Sequence, residues 1–369
     1  MFSKNGMLTK IYTWVEERTG LSEILRSQLV DFTVPKDSGY SNTLGFVLFT
    51  AFFIQLITGV FLLTYYIPHP DYAFKSVQFI MNQANFGWLF RFVHVVGSNL
   101  LVATLFIHIL VVFYRGTYKK PRELNWLTGG LLFFIILLFC VTGYLLPWNQ
   151  LSYWSTTILT SIPTVIPFVG GKVTEFIRGG EYVTGITLNR FFAFHVAFLP
   201  LFLITVVIIH IFVVWRTGLS SISEGTQDPA QEGAHLFKRP VYPDGYPFYP
   251  SLFMKAVFMI LLYIAVVFFT ITFFQTLFLP EYANIKADPF STPYLIRPPW
   301  YFLAPYTLLR LIPNKFIGIS IQVVIIVLFL LWPFFDINKE KNIWKRPFLL
   351  VLFSTTLIVW FLLTMLGRF

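Results

Sequence analysis

Seven runs of predominantly apolar residues dominate the chain and define its predicted elements. They cover approximately 43–66, 92–114, 126–147, 191–215, 253–279, 316–335 and 347–366. A helix rises ~1.5 Å per residue, so each run is long enough to cross a hydrocarbon core ~30 Å thick. Ahead of them, residues 8–29 alternate basic, acidic and apolar groups at helical spacing, the pattern of an amphipathic helix lying on a membrane surface. A polar stretch rich in Pro and Gly, residues 224–250, parts the fourth run from the fifth. The expected fold class is an all-α membrane protein with seven transmembrane helices. Residues 1–36 form a surface helix and N-terminal segment, 37–223 a four-helix bundle, 224–250 a cytoplasmic linker and 251–369 a three-helix part.

The polar residues inside the apolar runs point to chemistry. Four of the six histidines fall in two of the runs: His94 and His108 are 14 residues apart, and His195 and His210 are 15 apart. On a helix these spacings correspond to roughly 21–23 Å of axial rise and return to within about 40–60° of the starting face. Two parallel helices of this kind would face each other at two levels, each with one imidazole from each helix. That is the geometry of two stacked bis-histidine haems. An ordinary buried, hydrogen-bonded histidine explains one such residue but not two matched pairs. Gly45 and Gly59 are also 14 apart, as are Gly129 and Gly143. A missing side chain lets a macrocycle approach the backbone, although small-residue helix packing uses the same device. Arg91 and Arg190 precede the first histidine of each pair and suit haem propionates. Arg115 and Arg216, after the second histidines, are candidates for the same task, with orientation charge as the plain alternative.

Composition narrows the reading. The chain is 56% hydrophobic, 20% aromatic and only 12% charged, against about 25% charge in soluble domains. The net charge of +10 does not signal nucleic acid, because basic residues cluster at the ends of the apolar runs. Their excess in the loops holding Arg115, Lys119, Lys120, Arg122, Lys339, Lys341, Lys345 and Arg346 predicts a cytoplasmic N-terminus. The second and fourth spans then run in the same direction, pairing His94 with His195 near the outer face and His108 with His210 near the inner. No cleavable signal peptide is expected. A single cysteine, Cys140, excludes an intrachain disulfide or a cysteine-held cluster. His69 and His235 lie in polar loops and read as solvated residues.

Two outer connections are unlike ordinary loops. Between the third and fourth spans, LPWNQLSYWSTTILTSIPTVIPFVGGKVTEFIRGG is long, apolar and helical in pattern, a lid lying in the interface. Between the fifth and sixth, RPPWYFLAPYTLLR is aromatic and apolar. Together they predict a quinone pocket beside the outer histidine pair. A transporter with proton-relaying histidines would not need the matched 14-residue repeats. A dihaem membrane anchor of another quinone-linked dehydrogenase or reductase would lack the lid and the PPWY loop.

These residues resemble, over essentially the whole chain, cytochrome b of the Rieske/cytochrome b complexes (bc1 and b6f). The resemblance rests on the four histidines, GYLLPWNQLSYWS, IPFVGGKVTEFIRGG and PPWY at Pro298–Tyr301, which matches the family's P-E-W-Y signature. The histidine spacing, KKPRELNWLTG and seven spans resemble the b6f branch, with cytochrome b6 and subunit IV fused across the linker. The resemblance implies two noncovalent b-type haems and quinol oxidation at an outer site formed by Pro298, Pro299, Trp300, Tyr301 and Tyr144. It implies electron bifurcation: one electron to a Rieske iron–sulfur protein and a c-type cytochrome, the other across the membrane to an inner quinone-reduction site. A homodimeric complex in membrane lipid, in a bacterial inner membrane, is implied with it. Three departures stand out. Pro299 replaces the glutamate of P-E-W-Y, leaving Glu281 and Asp288 as the nearest proton acceptors in sequence, and the P-P-W-Y form resembles menaquinol-using branches. Thr43 stands where the b6f branch has a haem-linking cysteine, so no covalent haem is expected. Asn149 and Val111 replace a family Asp and Arg, which weakens carry-over at the inner site.

Overall fold

The computed structural model describes residues 6–221, 240, 242, 244–294 and 296–368. Most of the polar linker therefore lies outside the described residues, His235 with it. Fourteen α-helices lie among the described residues: α1 (Met7–Thr19), α2 (Leu21–Leu29), α3 (Leu44–Leu63), α4 (Ala73–Asn82), α5 (Gly87–Tyr114), α6 (Glu123–Leu145), α7 (Gln150–Ser161), α8 (Gly170–Arg178), α9 (Gly185–Ala193), α10 (Leu199–Thr217), α11 (Phe253–Phe273), α12 (Leu303–Leu311), α13 (Lys315–Phe335) and α14 (Pro347–Leu366). Seven helical stretches are long and apolar enough to cross a membrane, built on α3, α5, α6, α9 joined to α10, α11, α13 and α14. The chain is an integral membrane protein of the expected all-helical class. The helix predicted over residues 8–29 is broken in two, because Gly20 takes a left-handed conformation (φ 57°) that ends α1 and starts α2.

α3 packs along α5, and α10 along α6. Val47 and Ala51 of α3 join Val96 and Leu101 of α5 and Tyr263, Val267 and Ile271 of α11 in one buried cluster. Ile135 of α6 meets Leu199, Leu203 and Val206 of α10 in another. Large apolar side chains are exposed on every span, most densely on α10, α11, α13 and α14, as expected where lipid replaces water. Backbone carbonyls at the end of one span are satisfied by a side chain from a neighbour. Arg122 Nη2 donates to the carbonyl of Thr217 at 3.0 Å and its Nε to Gly218 at 3.2 Å, closing the C-terminus of α10.

The two halves meet at a buried charge cluster. Asp336, just after α13, accepts from Lys119 Nζ at 2.7 Å and from Tyr118 Oη at 2.5 Å, and its carboxylate is held in bidentate fashion by Arg346. Lys119 and Arg346 are therefore more than orientation charges. Burial opposes ionisation of Asp336, but the hydrogen bonds from Arg346, Lys119 and Tyr118 outweigh it and hold the carboxyl below its ordinary value of 3.8. Asp336→Asn takes from buried Lys119 and half-buried Arg346 the carboxylate they share, a loss of about 3–5 kcal/mol. Its expected result is a lower melting temperature in detergent at pH 7. A depressed carboxyl stabilises the fold above the unfolded value and loses that contribution as pH falls. The gap between wild type and Asp336→Asn therefore closes below about pH 4; equal melting at pH 7 would disprove this role.

Candidate functional site

α5 and α10 bring the four histidines together in two pairs. His94 and His195 face each other with ring centres 6.4 Å apart and planes inclined by 71°. One level further along, His108 lies within electrostatic reach of His210. Each of the four is half-buried. Both helices run in the same direction, as the order of the spans predicts. The extra residue between His195 and His210 has a structural cause. Phe194–Phe198 forms a π-helical turn immediately before α10. Pro200 follows it, and a proline clashes with the carbonyl four residues back and offers it no N–H, so a widened turn suits it. The turn absorbs one residue and returns His210 to the face of His195.

Three of the imidazoles are fixed by a threonine on the antiparallel neighbour. The hydroxyl of Thr58 (α3) lies 2.9 Å from Nδ1 of His94, that of Thr142 (α6) 3.1 Å from His195, and that of Thr128 (α6) 2.8 Å from His210. Each hydroxyl also donates to a carbonyl one turn back: Ile54, Leu138 and Leu124 respectively. With its proton spent there, each hydroxyl oxygen accepts from Nδ1–H and leaves Nε2 with its lone pair free. The next residue along is a glycine each time. A Cβ at Gly59 would lie 3.4 Å from His94 Cε1, at Gly129 3.3 Å from His210 Cε1, and at Gly143 only 2.5 Å from His195 Cε1. A Cβ at Gly45 meets nothing within 4 Å, so the fourth glycine leaves open space.

The arginines divide. Arg91 is buried in α5 and has no ion-pair or hydrogen-bond partner among the described residues. Arg190 is exposed and donates to the carbonyl of Phe176 in the lid. Arg115 bonds Ser41 at 2.8 Å and Asn42 at 3.2 Å and pairs with Asp37 at 3.5 Å, tying it to the segment before α3. Arg216 lies in the last turn of α10, where a cation suits the helix dipole.

The two unusual connections singled out in the sequence meet. The lid consists of α7, a 3₁₀ turn and α8, with Asn149 capping α7 by accepting from Ser152 N at 2.8 Å. Asn149 Nδ2 donates to the carbonyl of Ala283 at 3.2 Å, and Gln150 Nε2 to that of Ser291 at 2.6 Å. Trp300 Nε1 reaches Asn99 of α5 at 3.1 Å. Tyr301 is buried, its hydroxyl beside the Cys140 thiol and near Tyr144, and Tyr144 lies against Ser155 of α7. Pro299 precedes this turn in extended conformation (ψ 154°). Asp288 is exposed, and Glu281 falls in a 3₁₀ turn with its side chain outside the described part of the structure. His69 is exposed and lies 3.7 Å from Asp71.

Comparison with known proteins decides the family. The family model described as cytochrome b/b6/petB matches residues 29–218, and that described as cytochrome b(C-terminal)/b6/petD matches residues 286–369. Cytochrome b of Rickettsia prowazekii is 34% identical over 342 residues, 91% of this chain and 81% of that one. The chain belongs to the cytochrome b family. The cytochrome b/c1 protein of Bradyrhizobium diazoefficiens is 32% identical over 359 residues, 96% of this chain and 50% of that one. Among solved structures, a chain of a hyperthermophilic respiratory complex III superimposes with a TM-score of 0.87 at 36% identity, covering 97% of this chain and 91% of that one.

Cytochrome b implies b-type haem, and the residues fit it. A metal–imidazole bond is ~2 Å long, so two imidazoles on opposite sides of one ion have ring centres roughly 6 Å apart, as His94 and His195 do. The glycines leave room against the imidazole rings, and Arg91, buried one turn from His94 without an ion-pair partner among the described residues, could give a propionate its counter-charge. The threonines carry no mark in the sequence that separates them from other helix threonines; Thr19 and Thr217 also stand immediately before a glycine.

Proposed function

We propose that the chain is the cytochrome b subunit of a bc1-type quinol:cytochrome c oxidoreductase, and that His94 with His195 and His108 with His210 each hold one noncovalent b haem. The observation that carries this reading is the stacking of two histidine pairs on parallel helices, three of the four rings oriented by a threonine. When bound, the two haems supply the one-electron couples that link the faces of the membrane. The ligand levels lie ~21 Å apart, most of a ~30 Å core. Quinol binds on the outer side between the α7–α8 lid and the Trp300–α12 connection, where Tyr301 and Tyr144 supply hydroxyls in an apolar pocket. Its two electrons part: one leaves to a Rieske iron–sulfur protein and a c-type cytochrome, the other crosses to quinone reduced near the inner face. Protons are released outside and taken up inside. The P-P-W-Y turn favours a low-potential quinol such as menaquinol. The complex is a homodimer in a bacterial inner membrane, with the N-terminus cytoplasmic.

A redox-titrated visible spectrum of the purified complex, with a pyridine haemochrome assay, tests the reading. Two b haems per chain, titrating separately, and a copurifying Rieske protein are expected. One haem or none would break the four-histidine assignment; two haems without a Rieske partner would favour a dihaem anchor.

A further inference from the structure

An amide side chain is costly inside a span, where lipid offers it nothing to bond. Two such amides grip the connection that carries the P-P-W-Y turn. From α13, Gln322 Nε2 donates to the carbonyl of Pro305 in α12 at 2.9 Å. From α5, Asn99 meets the turn itself: its Oδ1 accepts from Trp300 Nε1 at 3.1 Å, across 201 residues of sequence. The direction of this amide is settled on its own helix, where Nδ2 donates to the carbonyl of Val95 at 2.8 Å. That bond spends the donor end on α5 and turns the acceptor end toward the indole. The indole in turn lies between Phe106, with ring centres 6.0 Å apart, and Tyr301, at 5.4 Å with planes inclined by 79°. Asn99, Trp300 and Tyr301 thus form one chain of contacts from the helix of His94 to the outer pocket.

We propose that Asn99 is a positioning residue for quinol oxidation: through the indole of Trp300 it fixes the turn that presents the Tyr301 hydroxyl to quinol. The inference rests on the outer-pocket reading given above. Tyr301 sits at the centre of the single 3₁₀ turn Trp300–Phe302, and so short a turn has few backbone bonds of its own to hold it. The Trp300 side chain supplies the missing anchor. Its N–H, tied to Asn99, sets the rotation of the indole, and the Tyr301 ring packs edge-on against that indole. Without the amide oxygen the N–H is left unpaired at membrane depth. The indole then turns toward another acceptor, and the surface against which Tyr301 packs turns with it.

The test is steady-state oxidation of a short-chain naphthoquinol by the purified complex, with haem content measured alongside. Asn99→Leu keeps the size of the side chain and removes the acceptor. It is expected to retain the wild-type haem content and to raise the quinol KM about tenfold, with little change in kcat. Trp300→Phe, which removes the N–H and keeps an aromatic ring, is expected to raise KM likewise. The double variant should be no worse than the poorer single one, since both break the same bond. In a Tyr301→Phe background, Asn99→Leu should leave KM where Tyr301→Phe alone puts it. A merely structural role would cost the same factor in both backgrounds, or would lose haem and active complex at unchanged KM. Either result overturns the proposal, as does an unmoved KM in Asn99→Leu. Should Asn99→Leu not assemble, Asn99→Ser, polar but too short to reach the indole, takes its place in the same comparisons. Wild-type complex that does not oxidise quinol would instead defeat the outer-pocket reading itself.

Discussion

Replacing His94 by alanine is expected to remove the outer haem, leave the inner one and abolish quinol oxidation. In the proposed assignment His94 would be one of two imidazole ligands at its level, and the spacing of its ring from that of His195 would leave room for one ion between them. Removing it leaves His195 alone, still oriented by Thr142. Metal affinity falls by the whole contribution of one ligand, more than the 10–100-fold lost when an outer partner is removed. The inner pair lies ~21 Å away on the same helices and keeps its own ligands, so the spectrum retains one b haem per chain. Gly143→Val should reach the same state by another route. Even the Cβ of a valine there lies 2.5 Å from His195 Cε1 and 3.1 Å from its Nδ1. The ring must move off Thr142 and out of line with His94. Visible spectra of the two variants, normalised to protein, check both. Two haems in either variant would mean that these side chains do not hold the outer group.

Much of this site is legible in the sequence because an intramembrane histidine is costly and so conspicuous. The four histidines, the partner glycines and the two outer connections all stand out against apolar runs. What escapes is whatever depends on a neighbour distant in sequence. Thr58, Thr128 and Thr142 each bond a carbonyl of their own helix as any helix threonine does; only the antiparallel packing of α3 on α5 and of α6 on α10 shows that their oxygens also receive an imidazole. Lys119 reads as an orientation charge because Asp336, which accepts from it, is 217 residues away. The π turn had a sequence signal in Pro200, set within an otherwise continuous apolar run, and a spacing of 15 against 14 is its trace. The break at Gly20 had one too, since glycine is the residue that adopts the left-handed conformation without strain.

A carboxylate on the loop after α11 is expected to take the proton that Pro299 cannot, and its removal should slow quinol oxidation 10²–10⁴-fold. Burial, and then Cys140 and Tyr144, push the phenol of Tyr301 well above the ordinary value, which disfavours it as the base; in the proposed pocket it would offer quinol its hydroxyl. Asp288 is better placed for the task. Gln150 of the lid accepts from the Asp288 backbone N–H at 2.8 Å, and Trp154 donates to its carbonyl at 3.2 Å, so the residue is pinned where the two outer connections meet. Its side chain accepts from Phe290 N at 2.9 Å. Asparagine makes that same turn, so Asp288→Asn removes the base while keeping the loop. Glu281→Gln is the parallel substitution at the other candidate. Steady-state quinol oxidation across a pH series should show the ascending limb of the rate profile displaced or lost in the variant that carried the base. Pro299→Glu, which restores the family carboxylate beside Tyr301, should recover activity in that variant. Full activity with an unchanged pH profile in both amide variants would sink the assignment and leave solvent at the outer face as the proton acceptor.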